Sequence, residues 1–390
     1  MRKNHLGIII GAILFLAVAM GIGRFSFTPI LPFLREAEGL SVQDGGWIAS
    51  GNYFGYLIGA LAAGKVVKKQ KLVLMINVWV CVLSVLLMGF TSTITLWFVL
   101  RLVSGISGGF VFVMTSALLM DYLADFRLGK WSGYIFSGIG LGIAISGLTV
   151  PLVVRQSNWM AAYFILTLIA IIFILITCYL WRNLHAQPHK IAVKKESVMT
   201  GFMKWLALAY GLEGLGYIIT GTFLVDIVYS IPELRPYAGF SWVVVGIGAI
   251  PSAPLWMWLM TTFSSIKVLS MAYALQVFGI LLPIFYTNIF TVMLSALLFG
   301  STFVGLVSMT TGYGRLLFPT KSASVVSVLT SYYAVGQIIG PIIAGILVGY
   351  YNNYNAALLF AGSIVALALL LLIVGHYTST KKQVAFVQTK

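Results

Sequence analysis

The chain has 390 residues, 60% of them hydrophobic and 8% charged, with a mean hydropathy of +1.01. No soluble globular domain sustains that composition, so the chain is an integral membrane protein. Its net charge of +15 could suggest nucleic acid, but the basic residues fall between apolar segments, which makes the surplus topological and leaves no nucleic-acid partner to expect.

Apolar runs near 20 residues recur along the sequence, so helices rather than barrel strands are the spanning elements. Twelve are read, at 7–33, 45–65, 71–90, 94–119, 131–153, 159–181, 203–229, 241–262, 267–286, 289–313, 323–348 and 355–377. The first carries MGIGRFSFTPILP at 20–32, which puts Arg24 inside an apolar stretch. A charge at the bilayer centre costs about 2.5–3.5 kcal/mol on insertion scales, so such an arginine faces a cavity, a partner carboxylate or a ligand. The alternative is that Arg24 snorkels into the headgroups. Arg2 and Lys3 imitate the start of a signal peptide, but the segment is too long and lacks the cleavage pattern, so it is expected in the mature protein.

In the second segment Gly51, Gly55 and Gly59 form a smooth face for close helix packing. Asn52 and Tyr56 stand on the neighbouring stripe, aimed either at a cavity or at an interhelical hydrogen bond. The fourth segment holds Arg101. Cys81 and Cys178 fall within spans as small apolar residues, with neither a disulfide nor a metal site expected. The interval 182–204 is hydrophilic and basic, and it divides the chain into an N-terminal half (1–181), a cytoplasmic linker and a C-terminal half (205–390). His185 and His189 have metal-like spacing there, but no carboxylate or thiol stands beside them, so a solvated linker is the reading.

The seventh segment aligns Glu213, Tyr217 and Thr220 at i, i+4 and i+7 as one polar stripe. Glu213 lies nine residues from Lys204, about 14 Å at 1.5 Å per residue, which is close to mid-bilayer. Asp226, nearer the outer end, reads as a gate residue or cap. Thr310, Thr311, Tyr332, Tyr333 and Gln337 add hydrogen-bonding groups in the tenth and eleventh segments.

With an inner N-terminus, the inner segments hold nineteen Lys and Arg against Arg35, Arg155 and Arg235 outside, which puts both termini in the cytoplasm. Trp47, Trp97, Trp159 and Trp242 at outer ends, and Trp131, Trp181 and Trp205 at inner ends, read as an aromatic belt. The halves also repeat weakly. Trp47 and Gly51 match Trp242 and Gly246 at an offset of 195. Gly21 and Gly23 match Gly214 and Gly216, Gly109 matches Gly305, and Tyr134, Gly138 and Gly142 match Tyr332, Gly336 and Gly340. Two six-helix repeats with a site at their interface near the midplane follow. On this alignment Tyr217 corresponds to Arg24, so Glu213 and Arg24 would sit one turn apart on facing helices.

Twelve spans in two halves around a basic loop resemble the major facilitator superfamily, which implies an all-α fold of two pseudo-symmetric six-helix bundles. GIGRFSFTPILP, GWIASGNYFGYLIGAL and GLEGLGYIITGTFL resemble the YbfB/YjiJ-type branch of bacterial permeases. RLVSGISGG at 101–109 is similar to the superfamily's fourth-helix motif, which implies that Arg101 lies in the core of the N-terminal half, coupled to proton movement in many relatives. GALAAGKVVKKQK after the second span keeps the glycine and basic residues of that signature but has no aspartate, and the fifth span lacks the Gly-Pro pair of antiporters.

No nucleotide-binding loop and no nucleophile with its base can be read, so neither ATP-driven transport nor catalysis is expected, and no cofactor. The reading is a monomeric, multi-pass transporter of the inner (plasma) membrane, moving a small organic solute by alternating access, with protons and the lipid bilayer as its other partners. Arg24, Asn52, Tyr56, Arg101, Tyr217, Tyr333 and Gln337 are the expected substrate-binding residues. Glu213 is the expected proton carrier in symport of an anion. Proton-coupled efflux of amphipathic compounds stands as the alternative, a static Arg24–Glu213 ion pair as another, and a non-transporting receptor or scaffold as a third.

Overall fold

The computed structural model describes residues 5–66, 68–182, 184 and 197–388, without the side chains of Lys130 and of 380–388. His185, His189, most of the expected linker and the basic residues of both chain ends lie outside the described residues or side chains.

The described chain is a bundle of antiparallel helices. The first span runs His5–Glu38 but not as one helix: α1 (His5–Leu16) passes through a π-helical turn, Ala17–Ile22, before α2 (Phe27–Glu38). The break has two local causes. Pro29 has no N–H to return to the carbonyl of Phe25, and Gly21 packs so closely on the Gly142 backbone that no Cβ would fit. The amides of Gly23 and Phe25 therefore reach back five residues, to Val18 and Met20.

The remaining helices are α3 (Val42–Ala63), α4 (Gln70–Met88), α5 (Ile94–Asp125), α6 (Ser137–Gln156), α7 (Trp159–Leu180), α8 (Phe202–Tyr229), α9 (Ala238–Thr262), α10 (Ser265–Phe285), α11 (Ile289–Leu317), α12 (Ser322–Tyr351) and α13 (Asn355–Gln388). Local chemistry starts several of them: Ser41 and Asp44 form a capping box on α3, Asn288 and Thr291 one on α11, and Asn158 caps α7. Among the described residues, eleven helical segments are long and apolar enough to cross a membrane. The twelfth expected span, α3, has 22 residues but is diluted by glycines and by Gln43, Asp44, Ser50 and Asn52. It packs against α5 and α12, so Ser50 and Asn52 meet protein rather than lipid, while Gln43 and Asp44 sit at its first turn.

Glycine sets the closest helix contacts, and they repeat between halves. Gly138 of α6 meets the Ile13 carbonyl and Gly142 meets Gly21, while Gly336 of α12 meets the Gly211 carbonyl and Gly340 that of Leu215. The same sequence-matched glycines thus join the first and fifth spans of each half. The first span of each half is also the most enclosed, 78% buried for His5–Glu38 and 83% for Phe202–Tyr229 against 39–56% elsewhere, which makes these two the central helices.

The aromatic belt needs correction. Trp97, Trp159, Trp181 and Trp242 are buried within the protein, Trp97 edge-on to Trp159 and Trp181 donating Nε1–H to the Ile8 carbonyl, while Trp47 and Trp131 are exposed. Leu83, Leu168, Leu175, Phe290 and Leu370 are among many large apolar side chains on the outer surface, as lipid contact requires.

Candidate functional site

A cavity of about 670 Å³ lies between the halves. Its mouth is lined by Gly64 and Gln70 after α3, Asp121 near the end of α5, Arg315 near the end of α11 and Ala323 at the start of α12, so it opens on the face where α1 and α8 begin. Its closed end, near mid-length of the central helices, is lined by Arg24, Phe25, Tyr56, Tyr217, Phe303, Tyr333 and Gln337.

Arg24 follows the π-helical turn directly. It is 4% exposed and lies at the inner end of the cavity, so it does not snorkel. Its guanidinium sits over Tyr56 at 4.6 Å, Tyr53 at 4.8 Å and Phe25 at 5.4 Å, and neither Nε nor Nη2 has a hydrogen-bond partner. Ring faces stabilise the cation without neutralising it. Opposite, Tyr210, Tyr333, Tyr217 and Phe303 form a ladder of near-parallel rings with centroids 4.2, 5.4 and 6.0 Å apart. Gln337 donates through Nε2 to the Tyr217 hydroxyl, which leaves its Oε1 unpartnered, as is the Tyr333 hydroxyl.

Five of the expected binding residues, Arg24, Tyr56, Tyr217, Tyr333 and Gln337, therefore meet around one cavity; Asn52 and Arg101 do not line it. Asn52 donates Nδ2–H to the Arg101 carbonyl at 3.1 Å, and Arg101 donates to the Gly23 carbonyl, also at 3.1 Å, with its guanidinium over Phe27. Both point into the N-terminal bundle, although Asn52 Oδ1 and Arg101 Nε and Nη2 have no partner there: the close α3–α5 contact fixed by Gly55 and Gly105 turns Asn52 onto α5, and the π-helical turn presents the Gly23 carbonyl to Arg101 and Ser104. Glu213 is also off the cavity. It is fully buried beside Gln276 and Tyr273 of α10, and no Arg24–Glu213 ion pair forms.

Beyond Arg24 the halves close on each other toward the far face. Thr28 donates to the Gly221 carbonyl at 2.7 Å, Tyr53 and Thr222 share a hydrogen bond at 2.9 Å, and Ser50 donates to the Ile338 carbonyl at 2.8 Å. At the rim, Arg35 and Tyr354 converge on Asp226, and Arg235 donates to both oxygens of Glu36 at 2.6 Å. Arg35, expected in a loop, belongs to α2. Sequence reading singled out Asp226 but not these partners. The adjacent charges Arg35 and Glu36 after Pro32 were the available signal, and their partners lie about 190 residues away.

The profile of a family described as uncharacterised MFS-type transporter YbfB matches residues 16–373. The chain belongs to this family. It is therefore a multi-pass membrane protein of the major facilitator type. The probable sulfoacetate transporter SauU of Cupriavidus necator is 23% identical over 186 residues, which cover 47% of this chain and 42% of that one, so the match spans less than half of that relative. The nucleoside transporter NupG, in a crystal structure of a point mutant, superposes with a TM-score of 0.75 at 13% identity, covering 95% of this chain and 99% of that one. At that identity the likeness to NupG is one of fold. It agrees with two pseudo-symmetric six-helix bundles.

Proposed function

We propose that this YbfB-type transporter carries a small organic anion by alternating access in proton symport, in the inner (plasma) membrane with both termini cytoplasmic. The observation that carries the anion reading is Arg24, a buried guanidinium at the closed end of the cavity with ring faces rather than a carboxylate around it. The partial likeness to a transporter named for sulfoacetate, itself a small organic anion, supports it. By the charge asymmetry of the sequence the open face is cytoplasmic, so the cavity faces inward here. Residues 1–181 and 205–390 are the two rocking units and 182–204 joins them on the cytoplasmic side.

Glu213 supplies the proton site in this reading. Burying an ionised carboxylate with no partner costs several kcal/mol, and an accompanying proton removes that cost. Glu213 does not line the cavity but is near Tyr210 and Tyr333, which do, so in this reading proton and cargo sites couple through these rings rather than by direct contact. The apolar ring wall also suits an amphipathic compound, which is the specific support for efflux as a second reading.

Arg24→Lys tests the anion reading. It keeps the charge and loses the planar two-bond fork, so anion affinity falls about tenfold while the protein still folds. Undiminished binding of the anion by the Arg24→Lys protein would make Arg24 a packing residue.

A further inference from the structure

We infer that the preferred cargo carries, close to its anionic group, a hydroxyl or another uncharged hydrogen-bond donor; this narrows the anion reading of Arg24 and rests on it. Three residues at the closed end of the cavity hold buried polar atoms without partners: Arg24 Nε and Nη2, the Tyr333 hydroxyl and Gln337 Oε1. Arg24 is 4% exposed, Tyr333 6% and Gln337 1%, so solvent does not satisfy them. Buried polar groups are usually hydrogen-bonded. Others without partners, such as those of Arg101 and Gln276, lie off the cavity; these three residues border one cavity from both halves, and that convergence describes the complement of a ligand.

Each group makes a different demand. The guanidinium can only donate, so it calls for an anion. The Gln337 amide nitrogen is committed to Tyr217, so its Oε1 can only accept and calls for a donor. The Tyr333 hydroxyl serves either way. A plain carboxylate or sulfonate has acceptors alone, and would satisfy Arg24 while leaving Gln337 Oε1 beside an oxygen of like partial charge. An ammonium would satisfy Oε1 but repel Arg24, and Glu213, the acid at this depth, is not on the cavity. An uncharged donor meets both demands. Tyr333 and Gln337 are one helical turn apart on α12, a spacing of about 5–6 Å, so donor and anionic group are separated by only a few bonds. Phe25, Tyr56 and Phe303 leave an apolar wall for the carbon skeleton.

The test uses the full chain in lipid nanodiscs and pairs of acids that differ only in one hydroxyl: lactate with propionate, mandelate with phenylacetate, and isethionate with ethanesulfonate, with mandelamide as the uncharged control. Apparent Kd is read from ligand-dependent thermal stabilisation. The hydroxylated member of at least one pair binds about five- to tenfold more tightly, in line with one added hydrogen bond. Gln337→Leu reduces that ratio to about one; Gln337→Met, closer in shape, serves if the leucine variant does not fold. Binding of both members with a ratio of one in the parent, or preference for the unsubstituted acid, overturns this inference and leaves the anion reading standing. Equal binding of mandelamide and mandelate, or no stabilisation by any acid, overturns the anion reading and this inference with it.

Discussion

Glu213 and Arg24 are both buried near mid-membrane, yet they answer different questions. Arg24 lines the cavity, whereas Glu213 lies off it, near Tyr210 and Tyr333. Glu213→Gln therefore removes a titratable group without leaving an unpaired charge, and the protein still folds. If Glu213 carries the proton, the variant loses accumulation driven by a pH gradient but still exchanges substrate down its own gradient, because the neutral amide mimics the protonated carrier. Both are measured on one reconstituted sample. Full gradient-driven uptake by the variant would remove Glu213 from the coupling mechanism.

Between elements, the decisive contact is that of α2 with α8 and the turn before α13 at the far rim. Asp226 is 2% exposed and is held by Arg35 of α2 and by Tyr354 of the turn before α13. Asp226→Asn leaves the Arg35 charge uncompensated in the closed rim but not in an open one, which shifts the balance toward far-face opening. Because the Arg35 side chain keeps 23% exposure, the shift is set at about 2 kcal/mol, roughly thirtyfold in population, below the 3–5 kcal/mol of a fully buried pair. The neighbouring Glu36 and Arg235 side chains are 58% and 46% exposed, so Glu36→Gln changes the balance by no more than about 1 kcal/mol. Spin-label distances across the far rim separate the two variants. Equal effects from both would mean that the rim acts as one charge cluster rather than through its buried pair.

For the whole molecule, the alternation of helix direction places exposed Glu233 on the far face and exposed Ser264 on the open one. With cytoplasmic termini, Glu233→Cys in a Cys178→Ser background reacts with an impermeant thiol reagent in intact cells, and Ser264→Cys reacts only after permeabilisation. The reverse pattern would invert the orientation and make the cavity outward-facing.

Composition and the spacing of apolar runs determined that this is a helical membrane protein, because lipid leaves a backbone no other way to satisfy its hydrogen bonds than helices or closed barrels. Chemistry within one helix was also legible: the glycine face of α3 and the placing of Arg24 in an apolar stretch, though not the break in the first span. Relations between helices were not. Tertiary packing decided that Asn52 and Arg101 turn into the N-terminal bundle, that Glu213 stays off the cavity, and that Arg35 finds Asp226. An i, i+4 stripe fixes only which residues share a helix face; the rotation of each helix about its axis, set by close glycine contacts with neighbours far along the chain, decides which stripe meets the cavity.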